Sequence, residues 1–152
     1  DINLKKVFGL DSAYIFNTFL NLSIIDSKYV KSDEPGVEGK EVEFVPKYNI
    51  KYGIKFGYKN FTSYLQYSYL ASQFSDSSNS VESNLSGVIG QIPAYDILDL
   101  SMNYKLGKIK LETGVNNILD TSYFTRRATG YPGPGIIPSP PRNYYLTIQY
   151  KF

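Results

Sequence analysis

Residues 47–58 read KYNIKYGIKFGY and alternate without a break. Tyr48, Ile50, Tyr52, Ile54, Phe56 and Tyr58 fall on one face, and Lys47, Asn49, Lys51, Gly53, Lys55 and Gly57 on the other. A period of two is that of a strand, and no 3.6-residue stripe can be drawn through these positions. Register is strongly fixed by such a pattern. A slip of one residue turns three lysines onto the apolar face, and if that face meets lipid, the lysine nearest the midplane alone costs about 2–4 kcal/mol.

The same alternation recurs outward from this stretch. Phe61, Leu65, Tyr67 and Tyr69 oppose Thr62, Gln66 and Ser68, with Tyr64 and Leu70 blurring the contrast. Leu98, Leu100, Met102, Tyr104 and Leu106 oppose Asp99, Ser101, Asn103 and Lys105; Ile109, Leu111 and Val115 oppose Lys110, Glu112, Gly114 and Asn116. Upstream, Phe8, Leu10, Tyr14 and Phe16 form a weaker strand, followed by one carrying Leu20, Leu22 and Ile24. The last strand carries Tyr144, Leu146, Ile148, Tyr150 and Phe152 against Tyr145, Thr147, Gln149 and Lys151. The expectation is an all-β chain, an antiparallel up-and-down meander of about seven long strands.

Three tight turns, near Asn17-Thr18, at Lys59-Asn60 and at Gly107-Lys108, alternate with three long connections, Lys31 to Glu43, Ser75 to Ala94 and Thr121 to Arg142. In a meander, alternate connections lie at the same end, so the short turns share one end and the long loops the other. That asymmetry is characteristic of outer-membrane barrels. Ten residues at about 3.3 Å rise, tilted by about 40°, span about 25 Å, the height of a lipid-facing band. A soluble up-and-down barrel alternates too, with its apolar face inward. The polar face of Gly, Asn, Gln and Ser with few Lys, and the aromatics near strand ends, favour the membrane. Seven strands cannot close a bacterial single-chain barrel, whose strand number is even and at least eight. Residues 1–152 are therefore expected to form a partial transmembrane β-barrel. The Ser-rich stretch from Gln73 to Gly90 is read as an extracellular loop.

The chain has 15 Tyr and 9 Phe but no Cys, His or Trp, and a net charge of only +2. Without His or Cys there is no Ser-His-Asp or Cys-His nucleophile and no thiolate or imidazole zinc site. No catalytic residue, metal site or cofactor is expected, and an outer-membrane enzyme is disfavoured. The scattered lysines form no basic stripe, so no nucleic-acid partner is expected. No apolar run reaches the roughly 18 residues of a membrane helix.

The segment from Leu111 reads LETGVNNILDTSYFTRRATGYPGPGIIPSPPRNYYLTIQYKF. It resembles the C-terminal end of TonB-dependent outer-membrane receptors, in particular those like the ferric citrate receptor. The resemblance rests on Gly114, Asn116, Asn117, Ile118, Leu119 and Asp120; on Tyr123, Phe124, Arg126 and Arg127; on the Gly130 to Gly135 loop; and on Arg142. It is specific over Asp96 to Phe152 and diffuse before. Ile118-Leu119 replaces the usual Leu-Phe pair, and Ser139-Pro140-Pro141 stands where an acidic residue or Gly is common. The resemblance implies the C-terminal part of a barrel, without its plug domain, in a receptor importing a ferric chelate across the bacterial outer membrane. It also implies as partners the rest of the barrel and plug, the TonB complex reached through an N-terminal region absent here, outer-membrane lipid and lipopolysaccharide, and the barrel-assembly machinery. That machinery would read the alternating residues from Tyr144 to Phe152. The alternative is a complete small barrel with a structural or adhesive role.

The motif residues also have readings of their own. Asn116, Asn117 and Asp120 are suited to capping backbone released from a ladder at the rim. Gly133 and Gly135, alternating with Pro132 and Pro134, let a stiff loop bend repeatedly. Arg126 and Arg127, with Tyr131 nearby, are the candidate ligand contacts: guanidinium forks suit an anionic chelate or a lipopolysaccharide phosphate, or they pair with rim carboxylates such as Asp120. Asp33, Glu34, Glu38, Glu41 and Glu43 make one loop acidic, a hard-cation site or a solvated surface. Interleaved Lys31 and Lys40 and irregular spacing favour the latter.

Overall fold

The computed structural model describes residues 2–130 and 133–152. In chain order it contains β1 (Ile2–Asn3), α1 (Leu4–Val7), β2 (Tyr14–Ile24), β3 (Tyr48–Tyr58), β4 (Phe61–Leu70), β5 (Gln73–Phe74), β6 (Gln91–Ile92), β7 (Tyr95–Leu106), β8 (Ile109–Asn116), β9 (Phe124–Ala128), β10 (Gly135–Pro138) and β11 (Asn143–Tyr150). Seven strands form one antiparallel sheet in the order β1-β2-β3-β4-β7-β8-β11, and β5-β6 and β9-β10 form two small hairpins. Six strands of the sheet are long, and the seventh, β1, is a two-residue stub.

The first tight turn expected from the sequence is not there. Tyr14 to Ile24 is one unbroken strand, paired residue for residue with β3 from Tyr14↔Tyr58 to Ile24↔Tyr48. The pattern faltered because Phe19 is a large apolar residue on the polar face. Phe8 and Leu10, read as strand, instead follow α1, whose side-chain cap is Asn3 accepting from the Lys5 N–H. Residues 4–13 thus make the connection at the short-turn end. Lys59-Asn60 and Gly107-Lys108 are tight turns as expected, and the long connections are residues 25–47, 71–94 and 117–142, all at the other end.

Register divides the sheet cleanly into two faces. Rows such as Leu20-Tyr52-Tyr67-Leu98 and Phe16-Phe56-Ser63-Met102 lie on the apolar face, while Asn21-Lys51-Ser68-Ile97 and Asn17-Lys55-Tyr64-Ser101 lie on the polar one. The apolar face covers no core. Among the described residues the buried hydrophobic ones are Val37, Ala71, Ile92 and Ala128, all outside the long strands, whereas Leu20, Leu146 and Ile148 are each more than 60% exposed. A bare apolar face of this extent calls for a partner other than water, either lipid or another apolar surface. Tyr14, Tyr58, Phe61 and Tyr104 line up in one row near the short-turn end of that face, Tyr14 and Tyr58 with ring centroids 4.6 Å apart. Such a row matches an interfacial aromatic girdle.

On the polar face, glycines are matched to bulky neighbours. Gly53 lies opposite Phe19, Gly57 opposite Ile15, and Gly114 opposite Tyr145. A Cβ on Gly53 would sit 2.1 Å from the Phe19 ring, and one on Gly114 2.5 Å from the Leu100 carbonyl oxygen and 2.6 Å from Tyr145. The missing side chain is the slot into which the cross-strand ring folds. Phe19 further stacks on Tyr64 at 6.1 Å with planes 7° apart.

Candidate functional site

The candidate site is the long-loop end. Its foundation is the rim where β8 gives way to residues 117–142. Asn117 and Asp120 both adopt positive φ, at 54° and 56°, a conformation that Asn and Asp tolerate better than most residues. Asn117 is buried and works in three directions: its N–H donates to Asp99 Oδ1 at 2.8 Å, its Nδ2 to the Thr121 carbonyl at 2.9 Å, and its Oδ1 accepts the Thr121 N–H at 3.0 Å. Asp120 Oδ1 accepts the Arg142 N–H at 3.0 Å, and Arg142 Nε donates to the Ile118 carbonyl at 3.0 Å. Asn116 Nδ2 donates to Asn143 Oδ1 at 2.8 Å across the β8–β11 ladder. Asn116, Asn117, Asp120 and Arg142 therefore form one network that turns the chain off the sheet and brings it back. Asn117 and Asp120 cap backbone as their residue types suggest, whereas Asn116, expected with them, bonds only the Asn143 side chain.

Above this rim the three long connections are tied together. The Phe44 N–H donates to the Phe74 carbonyl at 2.9 Å, and Asn79 clasps the Glu41 backbone, accepting from its N–H at 2.7 Å and donating to its carbonyl at 2.8 Å. Residues 25–47 are thereby held to residues 71–94. Arg127 joins 71–94 to 117–142: it is 7% exposed, and its Nη1 and Nη2 donate to the Gly87 and Gln91 carbonyls, each at 2.8 Å. Its guanidinium also lies 5.2 Å from the Phe124 ring centroid. Beside it Gly87 meets Gly135 so closely that a Cβ on Gly87 would be 3.3 Å from Gly135 Cα. Gly135 has φ 124° and Gly133 φ 155°. Buried Ile92 of β6 and Ala128 of β9 belong to the same junction, where β6 packs on β9.

The two arginines thus part company. They are neighbours on β9, so their side chains point to opposite sides. Arg127 is a tie between loops, and Arg126 is exposed. Asp120, expected as a partner for these arginines, is instead engaged by the Arg142 backbone. Tyr131 lies outside the described residues. The acidic loop disperses its carboxylates: Tyr29 Oη donates to Glu43 Oε2 at 2.5 Å, and Glu38 Oε1 accepts the Ser32 N–H at 3.5 Å. The hydrogen bond to Glu43 holds the Tyr29 phenol above its ordinary value of 10.0. Among the described residues no group of acidic side chains is arranged to hold a metal ion.

Sequence reasoning missed Asn79, Gly87 and Arg127 as the fasteners of these loops. Their partners are backbone carbonyls and amides far along the chain, which side-chain identity does not signal. Below the rim, Ile97, Asp99, Asn116, Asn117, Tyr123, Pro140 and Asn143 line a cleft of about 230 Å³ on the polar face. The rest of that face is a hydrogen-bonding wall, with Tyr64 Oη donating to Gln66 Oε1 at 3.1 Å and Gln66 Nε2 to Ser68 Oγ at 3.3 Å.

Among the described residues the sheet is open. β1 and β11 are its two edges and do not pair with each other, which is the geometry of a barrel segment and not of a complete small barrel. Known structures agree. The unliganded ferric citrate transporter FecA matches over 99% of this chain and 22% of its own, with a TM-score of 0.86 and 26% identity. The ferric yersiniabactin uptake receptor FyuA from Yersinia pestis matches over 93% of this chain and 21% of its own, with a TM-score of 0.72 and 17% identity. The siderophore receptor PiuA from Acinetobacter baumannii matches over 93% and 20%, with a TM-score of 0.69 and 19% identity. The chain spans about a fifth of the length of these receptors. The family model for the TonB dependent receptor-like β-barrel matches residues 2–118, more than half of the sequence. The chain belongs to the TonB-dependent receptor β-barrel family.

Proposed function

We propose that residues 1–152 are the C-terminal wall of an outer-membrane receptor that imports a ferric chelate of the citrate or siderophore type, the plug lying elsewhere in the parent protein. The observation that carries this reading is the likeness to the ferric citrate transporter over nearly the whole chain, at a TM-score of 0.86. On this reading the apolar face meets lipid, the polar face lines the lumen, and the long loops stand at the cell surface. Transport requires the complete barrel, its plug and the energy-coupling TonB complex. No reaction is catalysed by this wall.

Within it, exposed Arg126 is the residue offered to an anionic chelate, and Arg127, buried at the loop junction, positions the strand that carries it. Tyr131 stands with Arg126 as a proposed contact. The surface loops also border lipopolysaccharide, and the alternating residues Tyr144, Leu146, Ile148, Tyr150 and Phe152 serve as the signal read by the assembly machinery. β11 has them in register against Val115, Thr113, Leu111 and Ile109, the first four on the apolar face.

The deciding experiment is iron-limited growth of cells with and without the parent gene, each supplied with one ferric chelate. Growth restored by one chelate and lost on deletion supports import. Equal growth of both strains on every chelate, with the protein present in the outer membrane, sinks it.

A further inference from the structure

On the apolar face, polarity rises in steps toward the short-turn end. The row Ile54-Leu65-Leu100 gives way to Phe16-Phe56, then to Tyr14-Tyr58, and finally to Lys59 at the turn. Lys59 stays against this face: its Nζ lies 5.0 Å from the Tyr58 ring centroid, which holds the ammonium at the aromatic girdle. A lysine here occupies a place in the turn that suits glycine. Its φ is 50°, and at the matching place in the β7–β8 turn the residue is Gly107, with φ 58°. The Lys59 N–H donates to the Ala13 carbonyl at 3.0 Å, tying the turn to the connection of residues 4–13.

That connection brings a further ring to the same corner. α1 ends in a Schellman closure: the Leu10 N–H donates to the Lys5 carbonyl at 3.0 Å and the Gly9 N–H to the Lys6 carbonyl at 3.4 Å, with Gly9 at φ 64°. Residues 4–10 are thus a locked turn that presents Val7 and Phe8, 70% and 63% exposed. Phe8 lies on the apolar side of the sheet, its ring centroid 5.7 Å from that of Phe16, which is 6.3 Å from that of Phe56. Phe56 is in turn 6.4 Å from Tyr14. Phe8, Phe16, Phe56, Tyr14 and Tyr58 therefore form one continuous patch, with Lys59 at its edge. Lys5 and Lys6 of α1 add positive charge at this end, and Asp11 has its Oδ1 engaged by the Ala13 N–H at 2.8 Å. An apolar protein partner gives no reason for such a gradation. The order of aliphatic side chain, phenyl, phenol and ammonium is that of acyl chain, glycerol and phosphate in a lipid leaflet.

We propose that this corner binds one phospholipid of the leaflet at the short-turn end, its phosphodiester against Lys59 and the Tyr14 and Tyr58 phenols, its acyl chains along Phe8, Phe16 and Phe56. This rests on the reading of the apolar face as lipid-facing and of the long loops as standing at the cell surface. The connection of residues 4–10 is then part of the membrane interface and not a loop lying free in the periplasm. Charge-assisted hydrogen bonds from the ammonium to phosphate oxygens hold the headgroup, and packing on the rings holds the chains.

The test uses the whole receptor with photoreactive benzoylphenylalanine in place of Phe8 or, as a control at mid-height of the same face, in place of Leu65. Each is irradiated in outer membranes and again after extraction and washing in mild detergent, and the adducts are identified by mass spectrometry. Phospholipid adducts are expected from both probes in membranes, and only from the Phe8 probe after washing. The retained adduct should fall at least fivefold in Lys59→Glu and survive in Lys59→Arg, in barrels that keep their heat-modifiable mobility. Equal retention at Leu65 and Phe8, a lipopolysaccharide or protein adduct in place of phospholipid at Phe8, no retained adduct, or a yield indifferent to Lys59→Glu would each overturn the proposal. Failure of the lipid-facing reading shows separately, as a Leu65 probe without lipid adducts in intact membranes, and failure of the receptor reading shows only in the growth assay.

Discussion

The matched glycines show how much one absent methyl group can decide. At Gly114 the obstacle to any side chain is backbone, the Leu100 carbonyl oxygen 2.5 Å from an added Cβ, and backbone held in a ladder cannot step aside. At Gly53 the obstacle is the Phe19 ring, which can swing out at the expense of its stack on Tyr64. Gly114→Ala should therefore destabilise the barrel by about 1–3 kcal/mol, and Gly53→Ala by less, with Phe19→Ala restoring part of the Gly53→Ala loss. Denaturant unfolding of the complete receptor, followed by heat-modifiable mobility, gives the order; a larger loss at Gly53 than at Gly114 would contradict it. At Tyr29 the prediction concerns pH. The neutral phenol donates to Glu43 and its folded pKa lies above 10.0, so this contribution to loop order is fully present below the ordinary tyrosine value and is lost as pH rises through the folded one. The difference between the alkaline absorbance titrations of the parent and Tyr29→Phe should show a phenol titrating late, and Glu43→Gln should bring it back toward 10.0. An ordinary titration in the parent would remove the bond.

At the scale of elements, Arg127 makes the loops of residues 71–94 and 117–142 behave as one body. Its removal leaves the Gly87 and Gln91 carbonyls short of donors and frees the β9–β10 hairpin from β6. Arg127→Ala should thus raise protease cleavage in both loops together, whereas Arg126→Ala should weaken chelate binding several-fold and leave cleavage unchanged. Limited proteolysis of whole cells alongside chelate titration separates the two, and matching effects of both variants would refute the division of labour. The contrast between neighbouring arginines also marks how far the sequence could be read. Strand β3 and its neighbours were legible because alternation is a local signal, and the loop asymmetry followed from turn chemistry at Lys59-Asn60 and Gly107-Lys108. Strand β2 reads as two from sequence alone because Phe19 obeys a cross-strand partner, Gly53, that lies 34 residues downstream. Capping at the rim by Asn117 and Asp120 could be anticipated from residue type, since short polar side chains suit positive φ and capping; the part played by Arg142 could not. The loop fasteners could not, because Gly87 and Gln91 act through their carbonyls. The available clue was Phe-Thr-Arg-Arg-Ala followed a few residues later by Gly-Ile-Ile-Pro, two short runs able to pair as a hairpin that sends Arg126 and Arg127 to opposite sides.

For the whole molecule the controlling fact is the open edge. Every long strand between β2 and β8 is paired on both sides over most of its length, but the outer edge of β11 is bare along eight residues, and most of β2 beyond the two-residue stub β1 is bare as well. In hydrocarbon each unpaired backbone N–H or carbonyl costs several kcal/mol, and about half of the groups on an edge strand point outward. The cost along β11 alone exceeds the roughly 5–15 kcal/mol by which proteins are usually stable. The apolar face aggravates this in water, where nothing covers Leu20, Leu22, Leu146 or Ile148. Residues 1–152 expressed alone with an export signal should therefore fail to enter the outer membrane as a monomer. They should be recovered as aggregate or degraded, with no heat-modifiable band and no strands protected from added protease. The same residues within the complete receptor should be protected everywhere except in the three long loops. A monomeric, protease-resistant, heat-modifiable species from the isolated segment would mean that its edges find partners within the chain, and would overturn both the open-sheet geometry and the assignment of this sheet as one stretch of a larger wall.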